Sequence, residues 1–188
     1  MNPFEPITIP TPRLTLRFLT EADLPAVYEI FSHPEVMRYW SYPAWTDHSQ
    51  AQQWLINIQE GYRTGNALQV AIERREDHQL VGTCTLFQFH DASRRAEIGY
   101  ALGRPYWGLG YMQEALRGLL QYAFQTLDLN RLEADIDPRN LASAHVLERL
   151  GFLKEGHLRD RWIVNNEVSD TALYGLLRRE WQARSSVD

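Results

Sequence analysis

Between Glu97 and Ala115 the hydrophobic pattern of the chain switches from strand-like alternation to helical spacing, and the switch is made across Gly103, Pro105, Gly108 and Gly110. Glu97-Ile98-Gly99-Tyr100-Ala101-Leu102 reads as an extended apolar strand, whereas Met112, Ala115, Leu116, Leu119, Leu120, Ala123 and Phe124 fall on one face of a helix. A helix that starts from a glycine turn keeps its first N–H groups without partners, and glycine, lacking Cβ, lets a ligand come close to the backbone. With the positive end of the helix dipole, these donors favour a phosphate or pyrophosphate. Gln113 stands where a Gly-x-Gly-x-x-Gly fingerprint has its third glycine, and no Gly-Lys-Ser/Thr follows, so both nucleotide-binding patterns are incomplete. Taken alone, the stretch is either an anion site or a glycine-tightened turn.

The rest of the chain narrows the class. Its 188 residues suit one domain, residues 1–188, and 44% hydrophobic with 12% aromatic content is globular composition. The single cysteine, Cys84, excludes an internal disulfide and a cysteine-based zinc site, and fits a reducing cytoplasm. Met1 to Pro6 shows no basic, apolar leader pattern, and no apolar run approaches membrane-spanning length. A soluble cytoplasmic protein with no membrane partner is expected. A net charge of −5 gives no general attraction to nucleic acid.

In chain order, Arg13 to Phe18 alternates as a half-buried strand, and Thr20 with Asp23 opens a helix carrying Leu24, Val27, Tyr28 and Phe31, closed by Pro34. Tyr39, Trp40, Tyr42 and Trp45 crowd around Pro43; Tyr39, Trp40 and Trp45 either line a substrate pocket or pack beneath a connection. A helix from Asp47 runs to Gly65. Leu68–Glu73, Leu80–Phe87 and Ala96–Leu102 predict an antiparallel meander. Beyond the glycine turn come a strand over Arg131–Ile136 and a turn at Asp137-Pro138-Arg139-Asn140. A helix over Leu141–Leu150 follows, ended by Gly151, then two strands joined near Asn165-Asn166 and a terminal helix from Arg178. Without repeats or linkers, a single α+β domain is the economical reading.

Two stretches together carry a resemblance. Glu97-Ile98-Gly99-Tyr100 through Tyr106-Trp107-Gly108-Leu109-Gly110-Tyr111-Met112-Gln113-Glu114-Ala115, and Asn140-Leu141-Ala142-Ser143-Ala144-His145-Val146-Leu147-Glu148-Arg149-Leu150-Gly151-Phe152, resemble the GNAT acetyltransferase superfamily. Within it they are similar to the ribosomal-protein-alanine/serine N-acetyltransferase (RimJ/RimL-like) branch, whose first strand Arg13-Leu14-Thr15-Leu16-Arg17 also resembles. The resemblance implies the acyl-CoA N-acyltransferase fold, a mixed, mostly antiparallel central sheet flanked by helices. The sheet would splay between the strand ending at Leu102 and the strand beginning near Arg131, with acetyl-CoA as co-substrate in the cleft and no metal. Its pantetheine would pair with the strand edge at Tyr100, Ala101 and Leu102. Its pyrophosphate would rest on backbone N–H groups of Trp107, Gly108, Leu109, Gly110 and Tyr111. Asn140 matches the family asparagine that bonds the cofactor arm, and it can cap the helix as well.

The chemistry implied is acetyl transfer to a primary amine, with the α-amino group of a protein or peptide N-terminus as the leading acceptor. Such a group, with a pKa of about 7.7–8.0, is already roughly a tenth to a sixth neutral at pH 7, whereas lysine needs about 3.4 kcal/mol more. Glu97 is the first candidate base, ahead of Glu73 and Asp135; alternatively it pairs with Arg95. Many superfamily members place a tyrosine seven residues after the helix-starting asparagine, where this chain has Leu147. Ser143 matches the serine of the RimJ/RimL branch and either protonates the cofactor sulfur or bonds only within its own helical turn. His145 and His157 are too isolated for a metal site, Cys84 reads as core, Arg159 and Arg161 as a solvated strand face, and Trp107 as packing or a cover over the pyrophosphate loop. A small-amine acetyltransferase acting on a polyamine, amino acid or aminoglycoside, and a non-catalytic acyl-CoA-binding module, are the alternatives. Either a monomer or a homodimer fits.

Overall fold

In the computed structural model, which describes residues 3–185, the alternating segments pair into one eight-stranded sheet. Its strands are β1 (Thr8–Pro10), β2 (Leu14–Arg17), β3 (Ala67–Arg74), β4 (Leu80–His90), β5 (Arg95–Leu102), β6 (Arg131–Ile136), β7 (Leu153–Val164) and β8 (Glu167–Leu177), in the order β1-β2-β3-β4-β5-β6-β8-β7. Every neighbouring pair is antiparallel except β5 with β6. The helices are α1 (Leu24–Ser32), α2 (Pro34–Met37), α3 (His48–Thr64), α4 (Tyr111–Gln121), α5 (Leu141–Leu150) and α6 (Arg178–Ser185). The mostly antiparallel α+β architecture read from the sequence is what forms. No helix among the described residues is long and apolar enough to cross a membrane.

Local chemistry sets the boundaries. Asp47 accepts from Ser49 N–H at 2.7 Å while Gln50 Oε1 accepts from Asp47 N–H at 3.0 Å, so α3 starts in a capping box; it stops at Gly65, whose φ is 72°. Thr20 and Asp23 do form the predicted cap, but the first turn, Glu21–Asp23, is a 3₁₀ turn and α1 proper begins at Leu24, just before Pro25. Pro34 ends α1 and opens the short α2. β1 has no sequence signal, because three residues are too few to show a period. The last turn of α4 widens into a π-helical segment, Tyr122–Thr126.

α1 packs on β4 and α3 on β3, while α4 packs on β1, β2 and β4. Leu14, Leu16, Leu68, Ile72, Leu86, Leu116, Leu119 and Leu132 are fully buried between these layers. Cys84 belongs to the same core.

The irregularity that matters for function is the parallel junction. β5 and β6 keep register only from Arg95–Glu97 against Arg131–Glu133, and then the two strands part. Gly103 N–H donates to Val81 O at 2.9 Å and Leu102 lies opposite Gly82, so Gly99 and Ala101 also direct their backbone groups to β4. By the same alternation, the N–H and C=O groups of Tyr100 and Leu102 face the gap.

Candidate active site

The gap between β5 and β6 is a cleft of about 620 Å³. β5 and β6 form its walls, and its rim comes from the 39–41 loop, the start of α5 and the β7–β8 hairpin.

On the β5 side, the chain leaves the strand through a 3₁₀ turn, Arg104–Tyr106, runs extended at Trp107, and passes through Gly108 and Gly110 with φ values of 76° and 77° before α4 begins. A residue with Cβ would be strained at both positions by roughly 1–2 kcal/mol. At Gly108 an added Cβ would meet nothing within 4 Å, so this glycine is required for its conformation, and the loop around it is open. The first backbone bond of α4 runs from Glu114 N–H to Gly110 O, which frees the amides of Tyr111, Met112 and Gln113 to face an anion.

Arg13 holds this loop from outside. Its Nη1 donates to Leu109 O at 3.0 Å, its Nε pairs with Glu114 at 2.6 Å, and its guanidinium lies 4.6 Å from the centre of the Tyr111 ring. Trp107 neither packs inside nor covers the glycine loop. It is 41% exposed and folds back on the strand, its Nε1 donating to Leu102 O at 2.8 Å, with Arg104 stacked on it at 4.8 Å and tied to Glu35 at 2.9 Å. Of the expected pantetheine edge, Ala101 is a correction: it is buried and its backbone groups are engaged by β4, which leaves Tyr100 and Leu102.

Asn140 caps α5, its Oδ1 accepting from Ser143 N–H at 3.1 Å. The Ser143 hydroxyl then lies 2.7 Å from the Tyr100 hydroxyl across the gap, and burial pushes the Tyr100 phenol well above its ordinary pKa. Ser143 therefore does more than bond within its own turn. Leu147 is fully buried, a core residue.

Five carboxylates line the cleft; Asp137 and Glu155 are paired with Arg139 and Arg131, and surroundings separate the other three. Glu133 is held by Arg95 at 2.7 Å and Arg131 at 2.8 Å. Asp135 accepts from Thr171 Oγ1 at 2.8 Å, and Thr171 in turn accepts from Trp162 Nε1 at 3.1 Å. Glu97 makes no ion pair or hydrogen bond through its carboxyl among the described residues. Burial first, and then the charges of Asp135 and Glu133, push its pKa up to about 7, against the opposing pull of Arg161 and Arg95. The predicted alternative, pairing with Arg95, does not form because Arg95 is taken by Glu133.

Glu73 is a second correction. Hydrogen bonds from His78 and Arg17 overcome the upward push of burial and keep its pKa below the usual carboxylate value. It sits opposite Leu80 at the end of β3, and the cleft lining does not include it.

The aromatic run divides. Tyr39 and Trp40 reach the cleft rim, but Trp45 does not: only 7% exposed, it packs on Phe31 at 4.8 Å and Trp54 at 5.9 Å, and its N–H bonds Phe31 O. Trp45 is a core residue, because the chain turns inward there to enter α3. Arg159 and Arg161 also divide, for Arg161 lines the cleft and Arg159 does not. His157 is paired with Asp170 at 2.7 Å. Among the described residues no group of three or more His, Cys, Asp or Glu converges on a metal position.

Comparison with known proteins agrees with this geometry. Residues 13–153 match the family model described as an acetyltransferase (GNAT) domain. The chain is 38% identical over 174 residues to the uncharacterized N-acetyltransferase p20 of Bacillus licheniformis, spanning 93% of this chain and 98% of that one. It is 25% identical over 180 residues to the [ribosomal protein uS5]-alanine N-acetyltransferase of Escherichia coli strain K12, spanning 93% of each. The crystal structure of a GNAT-family acetyltransferase from Bacillus anthracis superposes with a TM-score of 0.83 at 25% identity, over 93% of this chain and all of that one.

Proposed function

We propose, because the chain belongs to the GNAT acetyltransferase family and is an N-acetyltransferase, that it moves the acetyl group of acetyl-CoA onto the α-amino group of a protein or peptide N-terminus. The observation that carries this reading is Glu97, a carboxyl on the cleft wall with no partner among the described residues and with its pKa raised to about 7. A general base works best with a pKa near the operating pH, and an α-amino group at about 7.7–8.0 is within easy reach of it. The name of the Escherichia coli relative, which specifies a ribosomal-protein alanine, supports a protein acceptor.

The reading gives each group one task within a single catalytic domain. The amides of residues 107–111 hold the pyrophosphate of acetyl-CoA, that of Trp107 after leaving Arg104 O, to which it donates at 3.4 Å. The backbone groups of Tyr100 and Leu102 pair with the pantetheine arm, which Asn140 also meets. For the latter pairing, the Trp107 indole has to release Leu102 O. Tyr39 and Trp40 flank the incoming acceptor at the rim. As the C–N bond forms and the C–S bond breaks, Glu97 takes the amine proton. The departing thiolate takes a proton from the Ser143 hydroxyl, which Tyr100 holds at 2.7 Å and which is reprotonated from solvent through the open cleft.

Thiol release from acetyl-CoA tests the reading, with short peptides, polyamines and free amino acids as acceptors. Peptides with free N-termini are expected to turn over while the same peptides blocked at the N-terminus do not. Turnover confined to small amines would replace the peptide acceptor, and tight acetyl-CoA binding without release from any amine would replace catalysis with binding.

A further inference from the structure

The charged groups facing the cleft are nearly all engaged with one another. Glu133 is bound by Arg95 and Arg131, Arg131 also by Glu155, and Asp137 by Arg139; Asp135 is held by Thr171. Two groups remain. Glu97 has no partner, and Arg161 has no ion pair among the described residues.

Arg161 does not reach the cleft by ordinary strand alternation. β7 and β8 pair Leu158 with Thr171 and Trp162 with Ser169, so residues 159–161 bulge out against Asp170 alone. The bulge is fixed: Asp160 has a φ of 51°, its N–H donates to Asp170 Oδ1 at 2.9 Å, and His157 holds the other Asp170 oxygen at 2.7 Å. Downstream, the Arg161 guanidinium rests 5.4 Å from the Trp162 ring centre, and Trp162 is anchored through Thr171 to Asp135. A built bulge and an anchored ring thus present one unpaired cation to the cleft that holds the unpaired carboxyl.

We infer that Arg161 is a specificity-determining residue selecting acceptors that carry a carboxylate close to the reacting amine, such as an acidic second residue in a peptide or the α-carboxylate of a free amino acid. The inference rests on the α-amine reading given above. A guanidinium offers a carboxylate two parallel N–H donors, while the same cation repels a lysine at that place and leaves a neutral residue with the cost of its own desolvation.

Steady-state kinetics test it on a peptide series differing only at the second residue (Glu, Gln or Lys), with free alanine and alanine amide as the small-acceptor arm. The Glu peptide is expected to exceed the Gln peptide in kcat/KM by about tenfold or more, mainly through KM. In Arg161→Gln that ratio falls to within about twofold, and in Arg161→Glu the order inverts in favour of Lys. Arg159→Gln, on the same hairpin but outside the cleft, keeps the wild-type ratio. Retained acetyl-CoA affinity shows that the variants are folded. Preference for free alanine over its amide, with no difference among the peptides, would identify the α-carboxylate as the group read and would uphold the inference. Equal kcat/KM for all peptides and both small acceptors, or an unchanged ratio in Arg161→Gln, overturns the inference alone. No CoA release from any acceptor overturns the α-amine reading as well.

Discussion

The wall of the cleft running from β5 into the 107–111 loop offers mainly backbone: the edge groups of Tyr100 and Leu102, the first amides of α4, and two glycines held left-handed. The opposite wall, from β6 to the β7–β8 hairpin, offers side chains: Glu133, Asp135, Thr171, Trp162 and Arg161. A ligand gripped by backbone is gripped by the fold itself, so the side chains of that wall can vary freely while its glycines cannot. A ligand read by side chains can be exchanged for another by altering a few charges. On the proposed reading, the acetyl donor is thereby a fixed property of the architecture, and the acceptor a property of this particular chain. The chief exception on the backbone wall is the Glu97 side chain, to which the proposed mechanism gives the amine proton, and Tyr100 is a lesser one.

Removing the chief exception should produce the largest effect. Glu97→Gln is expected to lower kcat by about 10²- to 10⁴-fold with little change in the KM for acetyl-CoA, measured by thiol release at pH 8. The same substitution has a second signature. A carboxyl whose folded pKa lies above its unfolded value opposes folding once it ionises, so the penalty appears above about pH 4.5 and is complete above about pH 7. The Tm of the variant relative to wild type should therefore rise across that window, as calorimetry would show; a constant difference would mean that Glu97 is not perturbed.

Next in size is a direct break in the backbone wall. Gly108→Asp adds left-handed strain and a negative charge at the phosphate position, and is expected to raise the KM for acetyl-CoA by about ten- to a hundredfold while leaving the acceptor KM nearly unchanged. An equal rise in both constants would show that the two walls are not separable. Ser143→Ala should lower kcat by about tenfold. If Ser143 and Tyr100 act as one unit, Tyr100→Phe should cost as much, and the double variant no more than either.

The smallest effect links the walls. Since Glu97 must be deprotonated to act, kcat/KM should rise with pH through about 7. Asp135→Asn removes a negative charge that raises the Glu97 pKa, so the midpoint of that rise should move to lower pH, by less than a unit. A midpoint that stays fixed would assign the titration to another group.

The difference between the walls also explains how far the sequence could be read. The β5–α4 passage and the Asn140–Ser143 cap are contiguous, and turn chemistry and hydrophobic period are properties of contiguous residues, so Gly108, Gly110, Asn140, Ser143 and Glu97 were all visible. The opposite wall is made by contacts between distant segments: Thr171 with Asp135, Trp162 with Thr171, and the bulge that turns Arg161 inward. Nothing in Arg159-Asp160-Arg161 separates the arginine that enters the cleft from the one that does not; the left-handed Asp160 decides it. Likewise, composition places Trp45 among the aromatic loop residues, and only the path of the chain into α3 turns it to Phe31 and Trp54. The Arg13 clasp on Glu114 joins residues 101 apart, a separation no local pattern records.

The short parallel junction has a consequence for motion. Except for the pairing of Arg95–Glu97 with Arg131–Glu133, the strand ladders are contained within β1–β5 or within β6–β8. The sheet is therefore two zippered leaves sharing a narrow spine, stitched on its surface by the Arg95–Glu133–Arg131 cluster. Parting the leaves would break few hydrogen bonds, so the spine amides should exchange with solvent deuterium sooner than those in the middle of either leaf. A donor lodged along β5 and an acceptor bound from β7 would each add contacts across the spine. Slower exchange at Ala96 and Leu132 would then record the moment when both substrates are in place.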